Sequence, residues 1–239
     1  DGVLDSMNDG VKSLTGTSMS TPIAASGAAI IQQMVEEGLF NSQIDGDDNL
    51  GFTPSGPLMK ALLSLATSSV SDSKTPNPIQ GWGVLNISEL VGNNYLDNEN
   101  RTINDVWIWD SYQYDGDWSS FINSRLNEDK FPLDSLMENR WDGDGAKGPF
   151  LSTGEEIRWN FTIKNDEDLK ARLSWLAKPE PYMVDDLQLS ILTSDGRFAY
   201  SNDLNENGYS NLYDSELVVS SENETTVGIN LNADELEGV

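Results

Sequence analysis

The sequence predicts an α/β portion followed by an all-β sandwich of jelly-roll type. Three observations carry that expectation. A Gly/Ser/Thr turn, Thr15 to Pro22, runs straight into a small-residue apolar segment that ends near Gly38. A second segment, Pro57 to about Ser68, repeats apolar residues at helical spacing. From residue 149 onward apolar residues fall at every second position, as half-buried antiparallel strands require. The 239 residues divide on this texture into 1–97, an aromatic and acidic insertion or linker at 98–148, and the sandwich at 149–239.

Ser and Thr before an apolar run are helix-start signals, and Pro22 fits such a helix within its first turn. Ser18 therefore sits at or just inside a helix start, where free backbone N–H groups and the dipole favour negative charge. The helix should run to about Glu37, and its Ala, Gly and Ile content predicts burial on all sides. Gly38 supplies the stop. The loop that follows carries Asp45-Gly46-Asp47-Asp48-Asn49, which reads either as an exposed turn or as an incomplete calcium loop without its distal Glu. In the second helix Leu58, Ala61, Leu62, Leu65 and Ala66 share one side. After it, Gly81-Trp82-Gly83 should turn Trp82 against that helix, and Val84-Leu85 begin a short apolar segment.

Val106 to Tyr112 reads as a strand, and the Gly/Asp run from Trp141 to Gly148 as a boundary. Aromatics among acids here either grip a sugar or peptide, or pack the insertion onto its host. Strands are expected at Ile157–Ile163, Ala171–Leu176, Leu187–Leu192, Arg197–Tyr200, Leu217–Val219 and Thr226–Leu231, with a turn at Ser194-Asp195-Gly196. The acidic end after Leu231 suggests a truncated sandwich, with Ile229 and Leu231 left uncovered.

Composition narrows the function. The chain has 14 Lys and Arg against 40 Asp and Glu, a formal charge of −26, which opposes binding to nucleic acid or anionic membrane. No apolar run is long enough to insert in a bilayer. Cysteine is absent, so structural calcium is one way to hold acidic clusters together, and solvated acidic faces are the other reading. Histidine is absent too.

The stretch Gly16-Thr17-Ser18-Met19-Ser20-Thr21-Pro22 resembles the Gly-Thr-Ser-Met-Ala-Thr-Pro motif of the subtilisin-like serine proteases, with Ser20 in place of Ala. The rival nucleophile elbow needs glycine where Ser20 stands. The resemblance covers about residues 11–92, with the second helix and the Gly-Trp-Gly turn as further landmarks. It implies that Ser18 is the acylating nucleophile, that the backbone of Gly16, Thr17 and Ser18 serves the oxyanion, and that the substrate is a protein or peptide. In that family the Asp, the His and the oxyanion Asn lie upstream of the serine. The chain is thus expected to be the C-terminal part of a longer, secreted endopeptidase, inactive alone. Val184-Asp185-Asp186-Leu187-Gln188-Leu189 with Asp195-Gly196 and Asn202-Asp203 is similar to the calcium-bearing jelly roll that follows the catalytic domain in some alkaline members. That likeness makes Asp185, Asp186 and Asp203 candidate calcium ligands, although Asp185 stands for the usual Asn and Gln188 for the usual Asp. A non-catalytic scaffold or adhesin, or a carbohydrate-binding module, remains the alternative.

Overall fold

The computed structural model describes residues 13–40, 51–70, 75–91, 106–111, 122–124, 151–163, 167–177, 185–217 and 224–236. The first helix, α1, spans Thr17–Glu36. Its end follows from one glycine: Gly38 takes φ 68°, and its N–H and that of Leu39 bond back to Val35 (3.0 Å) and Met34 (3.0 Å). These are the two bonds of a Schellman stop. The second helix, α2, spans Gly56–Leu65. Ser55 caps it, its hydroxyl accepting from the Leu58 N–H at 3.2 Å. Pro57 sits in the first turn, where its missing N–H has no consequence.

Two short strands, β1 (Thr67–Ser68) and β2 (Val84–Leu85), pair antiparallel and close the Gly-Trp-Gly turn. A one-turn helix, α3 (Ser88–Val91), follows. Ile31, Met34, Val35, Leu58, Leu62, Ala66, Leu90 and Val91 form one core. Val106 and Ile108 join it. In the extended segment 106–111, residues 106, 108 and 110 are buried while 107 and 109 are not, so the period-2 pattern holds. The Asp110 carboxylate accepts the Ser55 N–H at 2.6 Å, tying this segment to the start of α2. Packing onto the helices is therefore the observed role of Val106 and Ile108.

The remaining strands are β3 (Ile122–Ser124), β4 (Glu155–Ile157), β5 (Leu169–Ser174), β6 (Ser190–Leu192), β7 (Phe198–Leu204), β8 (Ser210–Tyr213) and β9 (Thr226–Leu231). All pairings are antiparallel: β3 with β4, β5 with β9, and β6–β7–β8 as a three-stranded sheet. A short helix, α4 (Ala233–Leu236), follows β9. Ala171 of β5, Ile191 of β6, Ala199 of β7, Leu212 of β8 and Ile229 and Leu231 of β9 meet in a second core, with Leu236 over them. Among the described residues β5–β9 and β6–β7–β8 thus form two small antiparallel sheets around one core, short of a full jelly roll.

Several expectations change. Of the strand expected at Ile157–Ile163 only Ile157 enters a ladder, as the last residue of β4, and Phe161 is half exposed. Of the strand expected at Leu217–Val219, Leu217 bonds to the Tyr200 hydroxyl (2.6 Å) and the rest lies outside the described residues. Ile229 and Leu231 are both 0% exposed, because β7 and α4 cover what an extra strand was expected to cover. The second edge of β9 is also occupied. Asn202 Oδ1 accepts the Gly228 N–H (3.0 Å), and Ser210 Oγ accepts the Asn230 N–H (3.1 Å). Asn202 reaches there from a register shift in β7, with φ 61°.

Candidate active site

Ser18 is the second residue of α1, and Gly16 is the N-cap. Gly16 has φ 150° and ψ 168°, and no side chain caps the helix start. The Gly16 carbonyl accepts from Met19 (3.0 Å) and Ser20 (3.3 Å), so the helical bonding begins there. The N–H groups of Thr17 and Ser18 precede the first intrahelical acceptor and point out of the helix end. They form a small electropositive turn at Ser18, suited to an oxygen that gains negative charge.

Neighbouring hydroxyls are already engaged. Thr21 bonds to the Thr17 carbonyl and Ser26 to the Pro22 carbonyl, both at 2.8 Å. Ser18 is exposed, and its hydroxyl has no hydrogen-bond partner among the described residues. Pro22 lies in the second turn of α1, not the first as the sequence suggested, because the helix starts at Thr17. It stands four residues after Ser18, so the N–H it lacks is the one that would bond the Ser18 carbonyl. Proline therefore loosens the ladder at the serine itself.

The burial of α1 is lopsided. Gly27, Ile31, Met34 and Val35 are buried, whereas Leu14 is 55%, Ile23 66% and Ile30 49% exposed. The expectation of burial on all sides fails for the first half of the helix: no described residue covers it. Gly27 marks where the covered half begins, since a Cβ there would run into the Leu85 side chain of β2.

What the serine lacks is an imidazole. The 239 residues contain no histidine, so no imidazole of this chain can take the Ser18 proton. A cleft of about 290 Å³ lies elsewhere, between Gly56, Pro57 and Lys60 of α2 and Ser174, Trp175 and Thr225, and none of these belongs to the serine turn.

Residues 2–83 match the family model described as Peptidase_S8, the subtilase family. The subtilase match thus takes in the serine turn, α1, α2 and the Gly-Trp-Gly turn. An alignment 126 residues long is 31% identical to a Dictyostelium discoideum protein described as serine protease/ABC transporter B family protein tagB. That alignment covers 45% of this chain, and the chain spans 6% of the length of that relative. No solved structure matches the chain. These likenesses support the subtilase family and a serine-protease character for the N-terminal portion.

The acidic candidates do not come together. Among the described residues no group of three acidic side chains is placed to hold a metal ion. Asp203 is occupied by hydrogen bonds from Asn211 Nδ2 (2.8 Å) and the Tyr213 hydroxyl (2.6 Å). Asp185 offers its backbone carbonyl to the Trp175 indole N–H at 2.7 Å. Asp185, Asp186 and Asp203 are not drawn into one such group among the described residues, and the Asp45–Asn49 loop lies outside them. The described helices include none long and apolar enough to cross a membrane.

Proposed function

We propose that this chain carries the nucleophile-bearing part of a subtilisin-like serine endopeptidase, with Ser18 as the acylating residue and protein or peptide as substrate. The observation that carries the reading is an unengaged serine hydroxyl on the first turn of a helix, beside uncapped N–H groups, within the residues that match the subtilases. In this reading Ser18 Oγ attacks the scissile carbonyl, and the Ser18 N–H helps hold the resulting oxyanion. The Ser18 proton passes to an imidazole from residues outside this chain, oriented by a carboxylate that also lies outside it. The first half of α1 supports such a completion, because Leu14, Ile23 and Ile30 stand exposed on and beside it with no described residue over them. Residues 149–239 are then an extracellular accessory domain of jelly-roll type, and their two-sheet core is what favours it.

The test uses the intact polypeptide that contains these residues. A serine-directed fluorophosphonate should label it at Ser18, and Ser18→Ala should remove both labelling and peptide hydrolysis, leaving activity lower by roughly a thousandfold or more. The 239 residues alone should stay unlabelled. An active, labelled Ser18→Ala protein would overturn the assignment. A folded intact protein that never labels would favour the scaffold reading.

A further inference from the structure

The β5–β9 pair touches the subtilase-like portion through one unusual joint. Arg172 of β5 stands opposite Gly228 of β9 in the antiparallel register. A Cβ on Gly228 would lie 2.8 Å from the edge of the Trp82 ring and 2.8 Å from an Arg172 guanidinium nitrogen. The absent side chain is thus the hole into which both groups fit. The guanidinium carbon sits 4.6 Å over the centre of the Trp82 ring. The same group donates to the carbonyls of Ala171 (2.8 Å) and Ile229 (3.2 Å). No carboxylate among the described residues pairs with it. Burial lowers the Arg172 pKa to about 10, the mark of a cation held out of water by an aromatic face and carbonyl oxygens alone.

Trp82 is in turn fixed to what lies beneath it. Its carbonyl accepts the Thr67 hydroxyl at 2.7 Å, and Gly83 packs on the Ser68 carbonyl of β1. Two residues later comes Leu85 of β2, which fills the space that Gly27 leaves on α1. Lys170 to Glu89 (2.9 Å) and Lys60 to Thr225 (3.0 Å) flank the joint, but both are solvent-exposed contacts of small worth.

We propose that Arg172, Trp82 and Gly228 form a lock by which the β5–β9 pair holds β2, and through Leu85 the serine helix, in place. Arg172 is then a positioning residue for α1, and the β unit is part of the apparatus that presents Ser18. Its catalytic consequence rests on the function proposed above, whereas the lock itself is tested without activity.

The experiment is amide hydrogen exchange, read by mass spectrometry, on the 239-residue chain with Arg172→Met and Arg172→Lys. Arg172→Met should speed exchange about tenfold or more in peptides covering β2 and residues 27–36, while β6–β7–β8 keeps its rates. Arg172→Lys should recover part of the protection, because it keeps the cation but loses the planar fork. Unchanged exchange in β2 and α1 would overturn the lock. So would equal acceleration everywhere, which means only a loss of global stability. Should Arg172→Met fail to fold, Gly228→Ala gives the same readout with a gentler displacement of ring and guanidinium. In the intact protein, fluorophosphonate labelling of Ser18 should slow in Arg172→Met. Absence of labelling in the unsubstituted protein would count against the proposed function and leave the exchange result standing.

Discussion

Two glycines flank Trp82, and alanine at each separates a backbone conformation from a steric contact. Gly81 has φ 57° and nothing within 4 Å of where a Cβ would stand. Gly81→Ala should meet only the left-handed backbone cost, about 1–2 kcal/mol, less about 0.4–1 kcal/mol from the stiffer unfolded chain. A net loss of roughly 1 kcal/mol follows. Gly83 has φ 117°, and its Cβ would fall 2.5 Å from the Ser68 carbonyl oxygen. That oxygen is backbone and cannot rotate away. Strain of about 1–3 kcal/mol then adds to an overpacking cost of about 1–3 kcal/mol, less the same unfolded-chain term, so Gly83→Ala should lose roughly 2–5 kcal/mol. The relief open to the chain is to part β1 from β2, whose ladder has two pairs, Thr67–Leu85 and Ser68–Val84. Urea unfolding of the three proteins, followed by tryptophan fluorescence and far-ultraviolet dichroism, measures both losses. Equal losses at the two positions, or a milder one at Gly83, would refute the reasoning.

Other outcomes follow from single contacts. Ser55→Ala removes the cap of α2 and should cost about 1–2 kcal/mol in thermal unfolding, whereas Ser55→Asn, another capping residue, should lose far less. The hydrogen bond from Tyr213 to Asp203, with burial behind it, raises the Tyr213 pKa above its ordinary value. That stabilisation is complete below an unfolded pKa of about 10 and is lost as pH rises through the folded value. Unfolding midpoints at pH 8 and pH 11 should accordingly fall further for the unsubstituted chain than for Tyr213→Phe.

Legibility followed the range of the forces. The stop of α1 at Gly38, the start of α2 at Ser55 and the limits of β9 are set by neighbours within a few residues, and each is visible in sequence. β8 went unseen because Ser210-Asn211-Leu212-Tyr213 shows no apolar alternation. The Asn207-Gly208 pair before it, with Gly208 at φ 78°, was the available hairpin signal. The bare first half of α1 was illegible for a different reason. Composition says that a helix is suited to burial, and only the partners decide whether burial occurs. The place of Ser18 at a helix start was legible from its motif, whereas the contact of Arg172 with Trp82 joins residues 90 positions apart and leaves no local trace.

The polar caps on β9 set its alignment as a vernier sets a scale. Gly228 and Asn230 present N–H groups two residues apart on the same edge, and Asn202 and Ser210 meet both. Sliding β9 by one residue would bring up the edge that faces β5, and neither cap would find a donor. Sliding by two would move Gly228 away from Arg172 and set a bulky neighbour in the hole that Trp82 needs. A slip of one residue is thus penalised by unmet amides, and a slip of two by a filled hole. The strand can settle in one position only, and that position is the one in which the two halves of the chain fit each other.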